Sequence, residues 1–404
     1  MNTLLDALLL NAGYNAALVG IGAALLGFAA GAAGTFLFLR KRALVSDALA
    51  HATLPGVAAA FIIMVAFGGD GRSLIGLLVG SAVSAWIGLV VVEWMSRTTR
   101  LSEDAAIGAV LSVFFGVGIV LLTIVQTMSS GRQAGLESFL LGSTAGMLFQ
   151  DAVIIALGGA IAVALTFVFR RPMTLVAFDA EYAAASGINV RQIDLIMMGL
   201  VMAVTVIGIK IVGLILIVAL LIIPPVTARF WTNQSERVVW IASVIGGIAG
   251  YVGAAISASA PSLPTGPIIV LVCAALFVLS LFLAPARGVA ASAWQHWQFQ
   301  KRVHLRQGLL ALSRSEPIHD QLTLNTLRRA GLIRADGIAT EAGRVQAAKA
   351  ARDEHRWEVA RQMHHDTALT GRYDGLTPIE TVLTRDEIAE IDKVIGGPRA
   401  VGAG

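Results

Sequence analysis

LVSDALAHATLPGVAAAF, residues 44–61, is an apolar stretch of helical length that carries a carboxylate at Asp47 and an imidazole at His51. Ionisable groups are costly in hydrocarbon, so they face a bundle interior or a pathway. The i, i+4 spacing puts both on one helical face. One oxygen and one nitrogen ligand suit a divalent transition metal better than an organic substrate. Pro55 follows His51 by four residues. It has no N–H, so the His51 carbonyl loses its helical donor and is free to bond something else. Asp47 and His51 are the candidate metal ligands, with Pro55 and Gly56 shaping the path beside them. The plainer alternatives are a polar pair that staples two helices, or an Asp–His hydrogen bond.

Outside this stretch the chain is built for a bilayer. Of its 404 residues, 56% are hydrophobic and 14% charged. With a mean hydropathy of +0.76, this excludes a soluble globule and predicts a polytopic all-α membrane protein. Residues 1–39 hold one charged side chain, Asp6, whereas charges become dense after Arg287. The change divides the chain into a transmembrane domain over 1–286, an amphipathic linker over 287–304 and a soluble domain over 305–404. A pI near 9.5 reflects basic residues at membrane edges and in the tail, and nucleic acid is not the expected partner. The single cysteine, Cys273, lies in an apolar run, so neither a disulfide framework nor a thiolate metal cluster is expected. The N-terminus has no basic n-region and reads as lacking a removable signal.

The SDALAHATLPGVAAAF segment resembles the signature of the membrane subunits of ABC-type metal uptake systems, the manganese/zinc/iron permease family. The resemblance extends over roughly residues 10–286. It implies a translocation path between two permease chains, identical or paralogous, served by separate ABC ATPase subunits and an extracytoplasmic metal-binding protein. It implies no permanently bound cofactor, the metal being cargo. FDAEYAAASGINVRQID, residues 178–194, is similar to the family's cytoplasmic segment that docks on the ATPase. The resemblance assigns ATPase coupling to Phe178, Asp179, Glu181, Ala184 and Gly187. KIVGLILIVALLIIPPVTAR, residues 210–229, is also similar to the family. Lys210, Pro224 and Pro225 are further candidate path-shaping residues: Lys210 marks a turn at a membrane face, the favoured reading, or repels cations from the wrong end of the path, and Pro224-Pro225 are expected to break or kink a helix.

Read in order, apolar spans are expected near 16–39, 44–67, 74–95, 105–127, 151–169, two within 194–230, 238–258 and 267–285, about eight or nine in all. The fifth is expected to end at Arg170-Arg171-Pro172. Ser102 before Glu103-Asp104 suits a helix start. Residues 129–150 are too interrupted by polar groups for a simple span and read as an amphipathic or gate-like segment. Basic clusters at 40–42, 97–100, 170–171, 229–237 and beyond 287 fall in alternate loops if there are nine passes. The positive-inside rule then places the C-terminus in the cytoplasm, and the family resemblance implies a bacterial inner membrane.

The tail begins with an amphipathic helix carrying Trp294 and Trp297 as interfacial anchors. A helix, Gly331, a strand–turn–strand around Asp336-Gly337 and a long helix give a winged-helix α+β outline. This portion resembles the iron-dependent metal-sensing repressors. That resemblance supplies tail metal candidates His355, Glu358 and Glu380, with His364-His365 as further donors. The chain departs from the family pattern, having Glu380-Thr381 for a Glu–His pair and Glu358 one position early.

The sequence has no Gly-Lys dipeptide and no H-E-x-x-H, which excludes a P-loop ATPase and that type of metalloprotease. The expected function is the permease of an ATP-driven importer, not an enzyme, with manganese favoured and zinc or iron open. A proton-coupled carrier and a membrane-anchored metal sensor are the alternatives.

Overall fold

The computed structural model describes residues 2–69, 71, 73–128, 149–260, 263–363 and 375–396. The chain divides into two compact units, Met1–Ala291 and Ser292–Gly404.

The first unit is helical. Its elements are α1 (Asn2–Leu8), α2 (Tyr14–Leu39), α3 (Leu44–Ala66), α4 (Leu74–Thr98), α5 (Glu103–Thr127) and α6 (Phe149–Phe178). They continue with α7 (Ala180–Ala185), α8 (Val190–Val212), α9 (Leu214–Trp231), α10 (Ser235–Ala258) and α11 (Thr265–Leu283). Among the described residues, eight helices are long and apolar enough to cross a membrane, and Leu216–Trp231 is a shorter apolar helix. Their limits follow local chemistry. Ser102 Oγ accepts from the Ala105 N–H at 3.3 Å and so opens α5. Gly213, at φ 81°, separates α8 from α9 in a conformation that L side chains resist.

A seam of small residues joins α2 to α10. A methyl added at Gly27 would strike the Gly246 carbonyl, and one added at Gly246 would strike the Gly27 carbonyl. Gly31 meets the Ala242 carbonyl, and Gly250 meets the Ala23 carbonyl, in the same way. In lipid no hydrophobic force draws helices together, so close backbone packing and weak Cα–H···O contacts must serve. A third helix joins them through proline chemistry. Pro225 has no N–H to give the Leu221 carbonyl. That carbonyl lies where a side chain at Gly34 would stand. Gly56 of α3 and Gly80 of α4 make a similar close approach.

One expectation about a helix end is corrected. α6 does not stop at Arg170-Arg171-Pro172 but runs to Phe178. Arg170 Nη1 folds back to the Phe167 carbonyl at 2.7 Å, and a proline removes one donor without ending a helix that packing supports. Of the break or kink expected at Pro224-Pro225, the break does not occur, since both lie inside α9. The segment expected at 129–150 falls almost wholly outside the described residues.

The second unit contains most of α12 (Val289–Arg314), then α13 (Gln321–Arg329), α14 (Glu341–Met363), a 3₁₀ turn (Ile379–Thr381) and α15 (Arg385–Gly396). One small core gathers Leu309, Leu327, Leu332, Ile333, Ala347 and Ala350. Another gathers Trp357, Ala360, Ile379, Leu383 and Ile391. The expected strand–turn–strand contracts to one antiparallel bridge, Ile333 with Ala339. No strand forms among the described residues, so the tail is helical rather than α+β. The reason is local. Thr340 Oγ1 donates to the Gly331 carbonyl at 2.9 Å and accepts from the Gly343 N–H at 3.1 Å. The backbone is turned into α14 before a ladder can grow.

The seam makes a prediction. Gly27→Val or Gly246→Val should lower stability by roughly 3 kcal/mol or more, because the opposing atoms are backbone and cannot move aside. Gly108→Ala, which meets nothing within 4 Å, should change it by about 1 kcal/mol or less. Thermal unfolding of the detergent-solubilised chain, followed by size exclusion, measures both.

Candidate functional site

Asp47 lies in the first turn of α3 and His51 one turn later. Asp47 Oδ1 stands 3.4 Å from His51 Nε2. Neither side chain is sealed, with 38% of Asp47 and 21% of His51 exposed. The His51 ring meets Phe115 of α5 edge-on, with centroids 5.0 Å apart. Its Nδ1 is buried without a hydrogen-bond partner. A buried orphan nitrogen is costly. The nitrogen turned toward Asp47 is instead Nε2, so Asp47 Oδ1 and His51 Nε2 are the two atoms that a cation at this point could bridge. Together they offer one anionic oxygen and one imidazole. Among the described residues no group of three or more His, Cys, Asp and Glu is gathered anywhere. A metal at this pair would therefore need ligands from water, backbone or a second chain.

The expected path-shaping residues are dispersed. Pro55 and Gly56 line an apolar cavity of about 610 Å³ against Gly76, Gly80 and Ser84 of α4; neither Asp47 nor His51 lines it. Gly118 of α5 approaches Leu54 and Pro55 closely, so the proline is a packing surface as well as a break in hydrogen bonding. Lys210 belongs to the last turn of α8, but its side chain lies outside the described residues. Pro224 and Pro225 are buried in α9.

The 178–194 segment forms a short, self-terminated helix. Asp179 Oδ1 accepts from the Tyr182 N–H at 2.9 Å and caps its start. At its end the Gly187 N–H bonds the Ala184 carbonyl at 3.1 Å, and the Ile188 N–H bonds the Ala183 carbonyl at 3.0 Å. This is a Schellman closure, and Gly187 supplies its left-handed residue at φ 83°. Asn189 then caps α8 through the Gln192 N–H at 3.2 Å. Ala183 is buried, while Phe178, Glu181 and Ala184 face outward. Tyr182 is 60% exposed. Phe178, also exposed, ends α6 and is separated from Tyr182 by the extended Asp179.

A charge network was missed in the sequence. Arg40 Nε lies 3.3 Å from Asp194 Oδ1, and Arg40 Nη1 donates to the Val176 carbonyl at 2.9 Å. Arg42 bridges Asp194 at 3.6 Å and Glu103 at 2.7 Å. These contacts tie the link between α2 and α3 to the helices flanking the short helix α7. Arg40 and Arg42 look from sequence like ordinary membrane-edge cations, and only the fold brings Asp194 to them.

In the tail, His355 Nδ1 lies 3.4 Å from Glu358 Oε2. Glu380 turns instead to Arg356 at 3.7 Å and Lys349 at 3.8 Å. The three tail candidates thus do not form one ligand set. His364-His365 lie outside the described residues.

With this geometry in view, comparison with known proteins is decisive for the first unit. Residues 14–284 match the model of the ABC 3 transport family. The chain belongs to this family. It is similar to the manganese transport system membrane protein MntC of Bacillus subtilis, 41% identical over 72% of this chain and 66% of that protein. It is also similar to the zinc transport system membrane protein TroC of Treponema pallidum, 37% identical over 71% of this chain and 93% of that protein. Among solved structures, PsaBC from Streptococcus pneumoniae in complex with Fab aligns at TM-score 0.60 and 30% identity. That alignment covers 70% of this chain and 96% of the other. This ABC 3 permease is a multi-pass membrane protein and is not itself catalytic. The match ends at residue 284, so the tail lies beyond the family model.

The charge network yields a prediction. Asp194→Ala leaves Arg40 and Arg42 facing each other across a half-buried site. It should cost about 1–3 kcal/mol, seen as a lower thermal midpoint, whereas Glu181→Ala on the exposed helix should leave the midpoint unchanged.

Proposed function

We propose that this chain is the permease of an ATP-driven importer of a divalent transition metal, with manganese favoured over zinc or iron(II). The carrying observation is the Asp47–His51 pair on one face of a membrane helix, with Asp47 Oδ1 and His51 Nε2 3.4 Å apart and both side chains partly accessible. The manganese and zinc systems named among its relatives support the substrate class.

In this reading two permease chains, identical or paralogous, face one another, each bringing Asp47 and His51. An extracytoplasmic metal-binding protein delivers the ion. The carboxylate offsets charge in low dielectric, and the imidazole favours transition metals over calcium and magnesium. Separate ABC ATPase subunits engage Phe178 at the end of α6 and Glu181, Tyr182 and Ala184 of α7, whose shape is kept by Asp179 and Gly187. Motion of α7 is passed through Arg40, Arg42 and Asp194 toward α3. Pro55, Gly56, Pro224 and Pro225 shape the helices along the route, and Lys210 marks a turn at a membrane face. The chain sits in a bacterial inner membrane with 287–304 as linker and 305–404 as a cytoplasmic, repressor-like domain. Basic residues at the ends of alternate helices support that orientation. His355, Glu358 and Glu380 would be drawn together for metal sensing only if Glu380 left its cationic neighbours, so a structural or dimer-stabilising role fits the tail better.

Proteoliposomes containing the chain, its ATPase and its binding protein test this reading. Asp47→Ala and His51→Ala should each reduce ATP-dependent manganese uptake by more than about tenfold while the complex still assembles. Normal uptake by both variants would remove the ligand role, and uptake driven by a proton gradient without ATP would favour a secondary carrier.

A further inference from the structure

We propose that the start of the tail holds a binding site for the phosphoryl headgroup of an anionic phospholipid from the membrane in which the chain is embedded. The site is a cavity of about 360 Å³ between α12 and α13. His296, Lys301, His304 and Arg329 bring positive or protonatable groups to its lining, and Gln300 and Asn325 add amide donors. No carboxylate lines it. Asp320 does not line it. It stands 3.1 Å from His304 Nδ1 and accepts from the Thr323 N–H at 2.9 Å and the Thr323 hydroxyl at 2.7 Å. Those hydrogen bonds hold the Asp320 carboxyl below its ordinary range. Lys301 Nζ lies 5.4 Å from the Trp297 ring centroid, so an indole wall positions the ammonium at the cavity.

Three features favour a lipid over a soluble anion. α12 begins at Val289, six residues after Leu283 ends the last candidate span. Trp294 is five residues into α12, about 8 Å of helical rise, and packs on Trp297 with centroids 5.4 Å apart. Both indoles are more than half exposed, and exposed indoles beside a span seek the headgroup layer. A cationic cavity close to them along the same helix has the chemistry to hold the anion that the headgroup layer supplies. Amide and imidazole donors add directed hydrogen bonds to phosphate oxygens, beyond simple attraction to a charged surface.

The test uses the full chain in nanodiscs of phosphatidylcholine with increasing phosphatidylglycerol, read by hydrogen exchange of the peptides covering 294–304 and 321–329. Both should be protected as phosphatidylglycerol rises. Lys301→Gln should raise the anionic lipid needed for half-protection about fivefold, and Lys301→Gln with Arg329→Gln about 25-fold. Lys349→Gln, which does not line this cavity, should leave the midpoint in place and shows that the fold tolerates loss of a tail charge. Equal protection in both lipids overturns the site. So does protection that survives the double variant. Inorganic phosphate or a duplex DNA fragment that protects the same peptides in pure phosphatidylcholine as strongly as phosphatidylglycerol would overturn the lipid assignment.

Discussion

Backbone contact between α2 and α10 is the constraint on which the first unit rests. Lipid tails are as apolar as leucine, so burying side chains against a neighbouring helix gains little over leaving them in the bilayer. What remains is dispersion between surfaces brought close, and closeness requires that side chains be absent. Gly27 and Gly246 each stand where the other's carbonyl would strike a methyl. Around that seam, Leu221 approaches Gly34 because Pro225 has released its carbonyl. A proline that weakens one helix thus supplies an acceptor that draws in another.

The candidate metal pair depends on that framework but stands beside it. α3 is fixed on its glycine side by Gly56 and Gly80, while Asp47 and His51 keep partial access to their surroundings. Two ligands on one helix are too few to hold a metal permanently. That suits cargo, which must leave as readily as it enters. A site with four protein ligands in one chain would favour retention.

Much of this was legible in the sequence. The runs of apolar residues gave the helices within a few positions, Ser102 gave a helix start, and the i, i+4 pair at 47 and 51 gave the candidate ligands. The misses share a physical cause. Arg170-Arg171-Pro172 signals the edge of hydrocarbon, and a helix can continue past that edge into α7's neighbourhood. The wing was read from turn residues that are present, but strand pairing depends on what the next residues prefer, and Thr340 prefers to cap a helix. Asp194 and Arg40 are 154 positions apart, and no local pattern announces a partner at that distance.

The caps of α7 bear on how a partner would meet it. Asp179, Gly187 and the backbone carbonyls of Ala183 and Ala184 all come from the segment itself. The helix is therefore formed before any partner arrives, and binding need not order it. Association then forfeits little conformational entropy at this point, so even a small aromatic contact through Phe178 and Tyr182 can contribute to affinity without first folding its own platform. The segment thus takes its shape from its own caps, and a partner need not supply them.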